Sequence, residues 1–234
     1  MAVKFWTYLE TDKYYIGLTS RTVYIYDKQG SELTKFKDLN YAYKGCVSHN
    51  QSLLAVKSTE GRMAIYSLDR LELITKFRFA KVDGAQDDNC IFSKDDRYLF
   101  NIERHVSSLK TVLSIYNTSN FSLEKQLFAE NDDWRLSVIE YDEKLDDYFV
   151  LGISRGQETK ATKSFFVARL VDDELQDMRV IDEATYLFLM FAKSVEFAGF
   201  TEESYKWRFF FKTITLDELK SMNLSLSHLW KKSN

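Results

Sequence analysis

The chain has 234 residues, an apolar fraction of 45%, an aromatic fraction of 15% and a formal net charge of −3 with a pI near 5.7. That balance, with no concentrated run of Lys or Arg, argues against a general polyanion binder. No apolar run approaches the ~20 residues needed to cross a bilayer, and Tyr186 to Ala192, the most hydrophobic, is far too short. The start, Met1 to Thr7, lacks the charged-then-apolar plan of a secretory leader. The expectation is a cytoplasmic protein with neither a nucleic-acid nor a membrane partner.

Taken in order, the residues read as short strands and turns. Lys4 to Leu9, Tyr14 to Leu18, Thr22 to Tyr26 and Leu33 to Lys37 form a first group. Gly45 to Ser48, Leu53 to Lys57, Met63 to Tyr66 and Leu73 to Phe79 form a second. The third is the clearest: Cys90-Ile91-Phe92, Tyr98 to Ile102, Val112 to Tyr116 and Leu123 to Leu127 are aromatic or branched runs separated by polar turns. Leu136 to Tyr141, Tyr148 to Ile153, Ser164 to Leu170 and Leu175 to Ile181 repeat the plan. A fifth group opens with Tyr186 to Lys193, Val195 to Phe200 and Tyr205 to Ile214. Beyond it, Thr215 to Lys231 reads either as a strand from Leu224 or as a helix capped by Thr215; a short helix followed by a closing strand is expected.

One landmark keeps time through these groups: an apolar residue in the third strand with a leucine eight positions later. The pairs are Ile25/Leu33, Ile65/Leu73, Ile115/Leu123, Val167/Leu175 and Phe211/Leu219. Three first members lie in Ile-Tyr-polar triplets, at Ile25-Tyr26-Asp27, Ile65-Tyr66-Ser67 and Ile115-Tyr116-Asn117. A period of roughly 40 to 50 residues with four strands per unit is the pattern of propeller blades. The reading is therefore all-β: a single-domain β-propeller of about five four-stranded blades, near 1–38, 39–80, 81–129, 130–181 and 182–234, with the landmark side chains wedged between sheets. A closed monomeric ring is expected, the alternative being an open array completed by another chain.

Two of the turns carry a family resemblance. Phe92-Ser93-Lys94-Asp95-Asp96-Arg97-Tyr98-Leu99 resembles the F-S-P-D-G-R-Y-L turn of WD-repeat-like propellers, and Val47 to Val56 is similar in the matching place. Ile115-Tyr116-Asn117 resembles the family's apolar-Trp-Asp strand end. The Gly-His and Trp-Asp pairs themselves are missing, and Lys94 and Asp96 stand where the family has proline and glycine. The resemblance implies the architecture and, by family habit, a surface that binds a protein partner.

Alternation of antiparallel strands puts the loops between fourth and next first strands at the same end as those between second and third strands. The first set is acidic (Asp83, Asp87, Asp88, Glu130, Asp132, Asp133, Asp182, Glu183), the second richer in cations (Arg62, Arg104, Lys110, Arg155, Lys160, Lys163). Trp134 and Tyr205 lie in or beside these loops as possible aromatic anchors. The binding candidates are thus Asp87, Asp88, Arg104, Asp132, Asp133, Trp134, Arg155, Lys160 and Tyr205, set against the alternative that all are solvated loop charges. Asp87-Asp88 and Asp132-Asp133 lack the spacing of an EF-hand, and no metal or cofactor is expected.

No nucleophile elbow, Walker-type loop or dinucleotide fingerprint occurs. His49 reads as a turn residue, His105 as an exposed loop residue and His228 as part of the tail. Cys46 and Cys90 read as buried thiols of inner strands. The leading expectation is a non-catalytic interaction or scaffold protein. The alternative is a small glycosidase-like hydrolase, for which Glu140 would be one of the two carboxylates required.

Overall fold

The computed structural model describes residues 3–5, 7–79, 82, 85, 86, 88–105, 110–155, 163–186, 194–197, 205–209, 212–215 and 225–232. Four sheets are built from consecutive strands. The first comprises β2 (Thr7–Glu10), β3 (Tyr14–Leu18), β4 (Val23–Asp27) and β5 (Glu32–Phe36). The second comprises β6 (Ala42–Val47), β7 (Leu53–Ser58), β8 (Arg62–Ser67) and β9 (Glu72–Arg78). The third is β10 (Cys90–Phe92), β11 (Tyr98–Arg104), β12 (Thr111–Asn117) and β13 (Leu123–Leu127). The fourth is β14 (Trp134–Asp142), β15 (Asp147–Arg155), β16 (Lys163–Val171) and β17 (Glu174–Ile181). Every pairing is antiparallel.

A further four-stranded sheet has the order β1-β18-β19-β20, joining β1 (Val3–Phe5) to β18 (Ser194–Phe197), β19 (Tyr205–Phe209) and β20 (Lys212–Thr215). This corrects three expectations. Lys4 to Leu9 is not one strand: Val3–Phe5 pairs with β18, Val3 opposite Phe197, while Thr7–Glu10 opens the first sheet. Tyr205 to Ile214 is not one strand either, but a hairpin with Phe209 opposite Lys212. Of the first strand expected from Tyr186 to Lys193, Tyr186 is helical and residues 187–193 lie outside the described residues; the position beside β18 is taken by β1. The expected closing strand from Leu224 is instead the helix α1 (Leu226–Lys232). Phe211 and Leu219 lie outside the described residues.

The chain divides into two compact units. Unit 1 is Met1–Asp87 with Phe191–Met222, and unit 2 is Asp88–Met190 with Asn223–Asn234. In unit 1, the first two sheets enclose Ile16, Leu18, Ile25, Leu54, Val56, Ala64 and Tyr66, all essentially inaccessible. The rings of Phe36 and Tyr66 stack there at 4.3 Å. Phe5 of β1 lies so close over Gly17 of β3 that a Cβ there would come within 2.5 Å of its ring, so only glycine fits. In unit 2, Ile102 and Leu113 pack against Leu136, Ile139, Val150 and Phe166. The far face of the fourth sheet, Phe149, Leu151 and Val167, is covered by Tyr186 and by Leu226 and Trp230 of α1.

The landmark splits in two. Its first members are buried as expected, with Ile25, Ile65 and Val167 at 0% and Ile115 at 5% exposure. Three second members are not wedged between sheets, Leu33 and Leu123 being 45% exposed and Leu73 36%, whereas Leu175 is partly buried against the core of unit 2. The three open the outermost strand of their sheets, where only one neighbour covers them. What fixes the spacing is a register shift at Ile25/Tyr26, Ile65/Tyr66 and Ile115/Tyr116. Each Ile-Tyr step faces a fourth strand carrying one extra residue, a bulge that bends the sheet edge.

The turns that carried the resemblance agree in detail. Ser48 and Ser93 each accept a bond from the next strand's first amide, Leu53 N–H at 2.9 Å and Tyr98 N–H at 2.9 Å. Each hydroxyl donates to the side chain two residues on, Asn50 at 2.8 Å and Asp95 at 2.7 Å. Gln51 and Asp96, in the family's glycine position, take φ of 59° and 57°. Cys46 and Cys90 are buried and form no disulfide.

Candidate functional site

The loop ends of unit 2 converge where strand alternation requires it. β11 ends at Arg104, β12 begins at Thr111, β14 begins at Trp134, and Asp88 leads into β10. Asp88 is fully buried and accepts two bonds from one guanidinium, Arg104 Nε to Oδ2 at 2.8 Å and Nη2 to Oδ1 at 3.1 Å. This fork-on-carboxylate geometry offsets the desolvation of both charges. Lys110 pairs with Asp132 at 2.9 Å, but Asp132 is 68% exposed and the pair contributes little to stability. Two acids of the first set, Asp88 and Asp132, are thus paired with two cations of the second, Arg104 and Lys110.

Of the nine expected residues, the structure brings together five. Asp88 and Arg104 form the buried pair, while Asp132 and Asp133 are exposed on the β13–β14 connection beside Glu130. Trp134 is half-buried, its ring set edge-on to Phe128 at 4.8 Å and Phe166 at 6.5 Å, so it is an anchored wall of the face. Arg155 ends β15 and Tyr205 begins β19 in unit 1; their side chains are not described. Asp87 and Lys160 lie outside the described residues.

Residues that the sequence did not single out complete the face. Ser137 is the extra residue where β14 shifts register between Leu136 and Val138, and its hydroxyl meets the Tyr186 hydroxyl at 2.7 Å. Burial pushes the Tyr186 hydroxyl's pKa up, the Ser137 bond and the charge of Arg135 act the other way, Asp88 raises it and Arg104 lowers it. The Arg135 charge is thus felt at Tyr186, and its own Nε is buried with no hydrogen-bond acceptor among the described residues.

Behind this face runs a buried polar column on the third sheet. Asn101 Nδ2 donates to Glu103 Oε1 at 2.9 Å and the Tyr116 hydroxyl donates to the same oxygen at 2.6 Å. Burial first, and then the charge of Glu103, raises the Tyr116 hydroxyl's pKa, which keeps it a donor. His105 is not the exposed loop residue expected: it is half-buried, Nε2 lying 3.8 Å from Glu103 Oε2, because β11 continues through Arg104 and carries it inward.

Glu140 has a structural task. Its Oε2 accepts the Leu226 amide at 3.0 Å while Asp142 accepts the Ser227 hydroxyl, so two carboxylates of β14 hold the start of α1. Among the described residues no group of three His, Cys, Asp or Glu side chains is arranged to hold a metal ion, and no helix is long and apolar enough to cross a membrane.

No protein-family model matches the sequence, and no curated protein matches it. Solved structures do. Hydrazine synthase from Kuenenia stuttgartiensis aligns with a TM-score of 0.56 at 11% identity, over 75% of this chain and 51% of that one. The Pan2 WD40 domain of Neurospora crassa aligns with a TM-score of 0.54 at 15% identity, over 82% and 58%. The WD40 domain of Toxoplasma gondii coronin gives 0.54 at 15%, over 75% and 43%. The chain spans about half the length of the structures it matches. At these identities the likeness establishes the architecture alone, an all-β fold of four-stranded antiparallel sheets of the WD-repeat propeller kind.

Proposed function

We propose that the chain is a non-catalytic interaction module that binds a protein partner through the loop face of unit 2, with Glu130, Asp132, Asp133 and Trp134 at its rim. The observation that carries this reading is the make-up of the face. Asp88 and Arg104 are locked in a two-bond pair, the Trp134 ring is packed against Phe128 and Phe166, and the outer carboxylates are exposed. A pre-organised core with a polar rim is the plan of recognition surfaces. Fold likeness adds no particular chemistry, since the matching structures include both a hydrazine synthase and WD40 domains.

The same reading takes the sheets as five blades of one propeller domain in a cytoplasmic, monomeric protein. The β1–β18 pairing supports it, because it ties the start of the chain into the last sheet and leaves β18 no open edge there. The test is site-directed photo-crosslinking of the full chain in cells, with a benzophenone residue at position 133 or at position 123. Adducts from 133 but not from 123 support the loop face; adducts from 123 alone overturn it.

A further inference from the structure

We infer that the free edge of β17 takes an extended strand from a partner protein, with apolar side chains laid against Met178 and Val180 and basic residues at both ends. The inference goes beyond the loop-face reading and does not rest on it. β17 is the last strand of its sheet, so one side of its backbone has no strand neighbour among the described residues. The outer strands of the first three sheets are guarded at a matching place. Beside each landmark residue, Lys35 stands opposite Tyr24, Lys76 opposite Ala64 and Gln126 opposite Ser114. In β17 that place, opposite Phe166, holds Val180. Val180 is 69% exposed, the most exposed large apolar side chain among the described residues, and Met178 is 46% exposed. A charge on an outer strand discourages pairing with another chain, whereas an apolar edge invites it. The Asp177 carbonyl is taken by the Trp230 indole, so the open stretch begins at Met178. From Arg179 to Ile181 it is paired residue for residue on its inner side with β16.

Charge chooses the occupant. The edge is acidic at both ends, Asp172 and Glu174 being exposed at its start and Asp182 and Glu183 just past its end. None of these four pairs with a cation among the described residues. The nearby cations are already matched, Lys125 by Asp173 and Arg169 by Asp147 and Asp177. Arg179, the strand's own cation, turns onto α1, its guanidinium 3.9 Å from the Trp230 ring and bonded to the Trp230 carbonyl. A second copy of β17 laid along this edge, in either direction, would set acid against acid. A strand ending in Lys or Arg meets carboxylates instead. Main-chain bonds then supply the adhesion, and alternate apolar side chains the selectivity.

The experiment titrates the peptide acetyl-Arg-Gln-Val-Thr-Val-Gln-Arg-amide into the full chain by calorimetry and follows amide hydrogen exchange across 174–182 by mass spectrometry. The expected result is saturable binding that slows exchange there. Affinity should fall by about tenfold or more when the peptide's inner backbone nitrogens are methylated, when its arginines become glutamates, and in a Val180→Lys chain. That substitution sits at an exposed place and installs the residue type that the first two sheets carry there. A peptide that fails to bind the parent chain overturns the inference without recourse to any variant. So does undiminished affinity of the methylated peptide, or of a Val180→Lys chain with the parent's melting temperature. Self-association of the parent that Val180→Lys abolishes would give the edge to a second copy, and overturns the inference as well.

Discussion

The side-chain amide of Asn89 is hydrogen-bonded to the backbone of Ile139 at both ends, Nδ2 donating to the carbonyl at 2.8 Å and Oδ1 accepting the N–H at 2.8 Å. Beside it the Asn89 amide donates to the Ser137 carbonyl at 3.4 Å. Ser137 is the extra residue of the bulge in the β14–β15 ladder, so Asn89 bonds the backbone of β14 at and just beyond that bulge. The third and fourth sheets are joined through Asn89.

Asn89→Ala strands the Ile139 amide and carbonyl, and the expected loss is about 1–3 kcal/mol, the cost of an unsatisfied buried polar group. Urea denaturation of the two chains measures it. An unchanged midpoint with an unchanged slope would show that the Asn89 bonds are not needed.

Ile115→Asp and Leu123→Asp test the two halves of the repeat landmark. Ile115 is 5% exposed and Leu123 45%, so the first change buries a charge without a partner and the second does not. Ile115→Asp should lower stability by several kcal/mol or prevent folding, whereas Leu123→Asp should stay within about 0.5 kcal/mol of the parent, as surface changes do. Equal melting temperatures would contradict the burial assigned here.

Much of this fold was legible in the sequence, and for a physical reason. Turns such as Ser93-Lys94-Asp95-Asp96 are decided by local hydrogen bonds, and Ile-Tyr triplets by the bulge that recurs opposite them. Pairing between residues far apart in the chain leaves no such local mark. Nothing in Val3-Lys4-Phe5 announces Phe197 to Val195 as its partners. Likewise Leu33 and Ile25 look alike as apolar residues, and only their place in the sheet makes one exposed and the other buried. The site was half legible: the loop charges could be grouped by strand alternation, but which of them pair, as Asp88 does with Arg104, depends on the fold.

Asp95 supplies a pH test. Burial acts to raise its carboxyl, but the Ser93 hydroxyl and the bonds and charge of Arg97 outweigh that and hold it down, from 3.8 to about 2. A group depressed in the folded state adds stability that is complete above its unfolded value and lost as pH falls through its folded one. Asp95→Ala should therefore lower the melting temperature modestly near neutrality, and the difference should close between 3.8 and about 2. A difference independent of pH would show that the turn does not depend on this charge.

Trp230 fixes α1. Its ring lies 5.8 Å from Phe149 and 3.9 Å from the Arg179 guanidinium, its Nε1 donates to the Asp177 carbonyl at 3.1 Å, and its own carbonyl accepts from Arg179 at 2.7 Å. Trp230→Ala should release the helix, with a loss of about 2–3 kcal/mol, somewhat below that of a fully buried aromatic. Faster amide hydrogen exchange across 226–232 would report the release, while protection equal to that of the parent would show that the Glu140 and Asp142 contacts suffice to hold it.

The most direct measurement of the central claim is the affinity of the full chain for the partner identified by crosslinking, compared between the parent, a Glu130→Lys/Asp133→Lys chain and a Leu123→Lys chain of equal melting temperature. Recognition through the loop face predicts that reversing the two rim charges weakens binding by about tenfold or more, while the outer-edge lysine leaves it unchanged. Undiminished binding by the loop variant, with loss in the Leu123→Lys chain, would contradict the account and move recognition to the sheet edge.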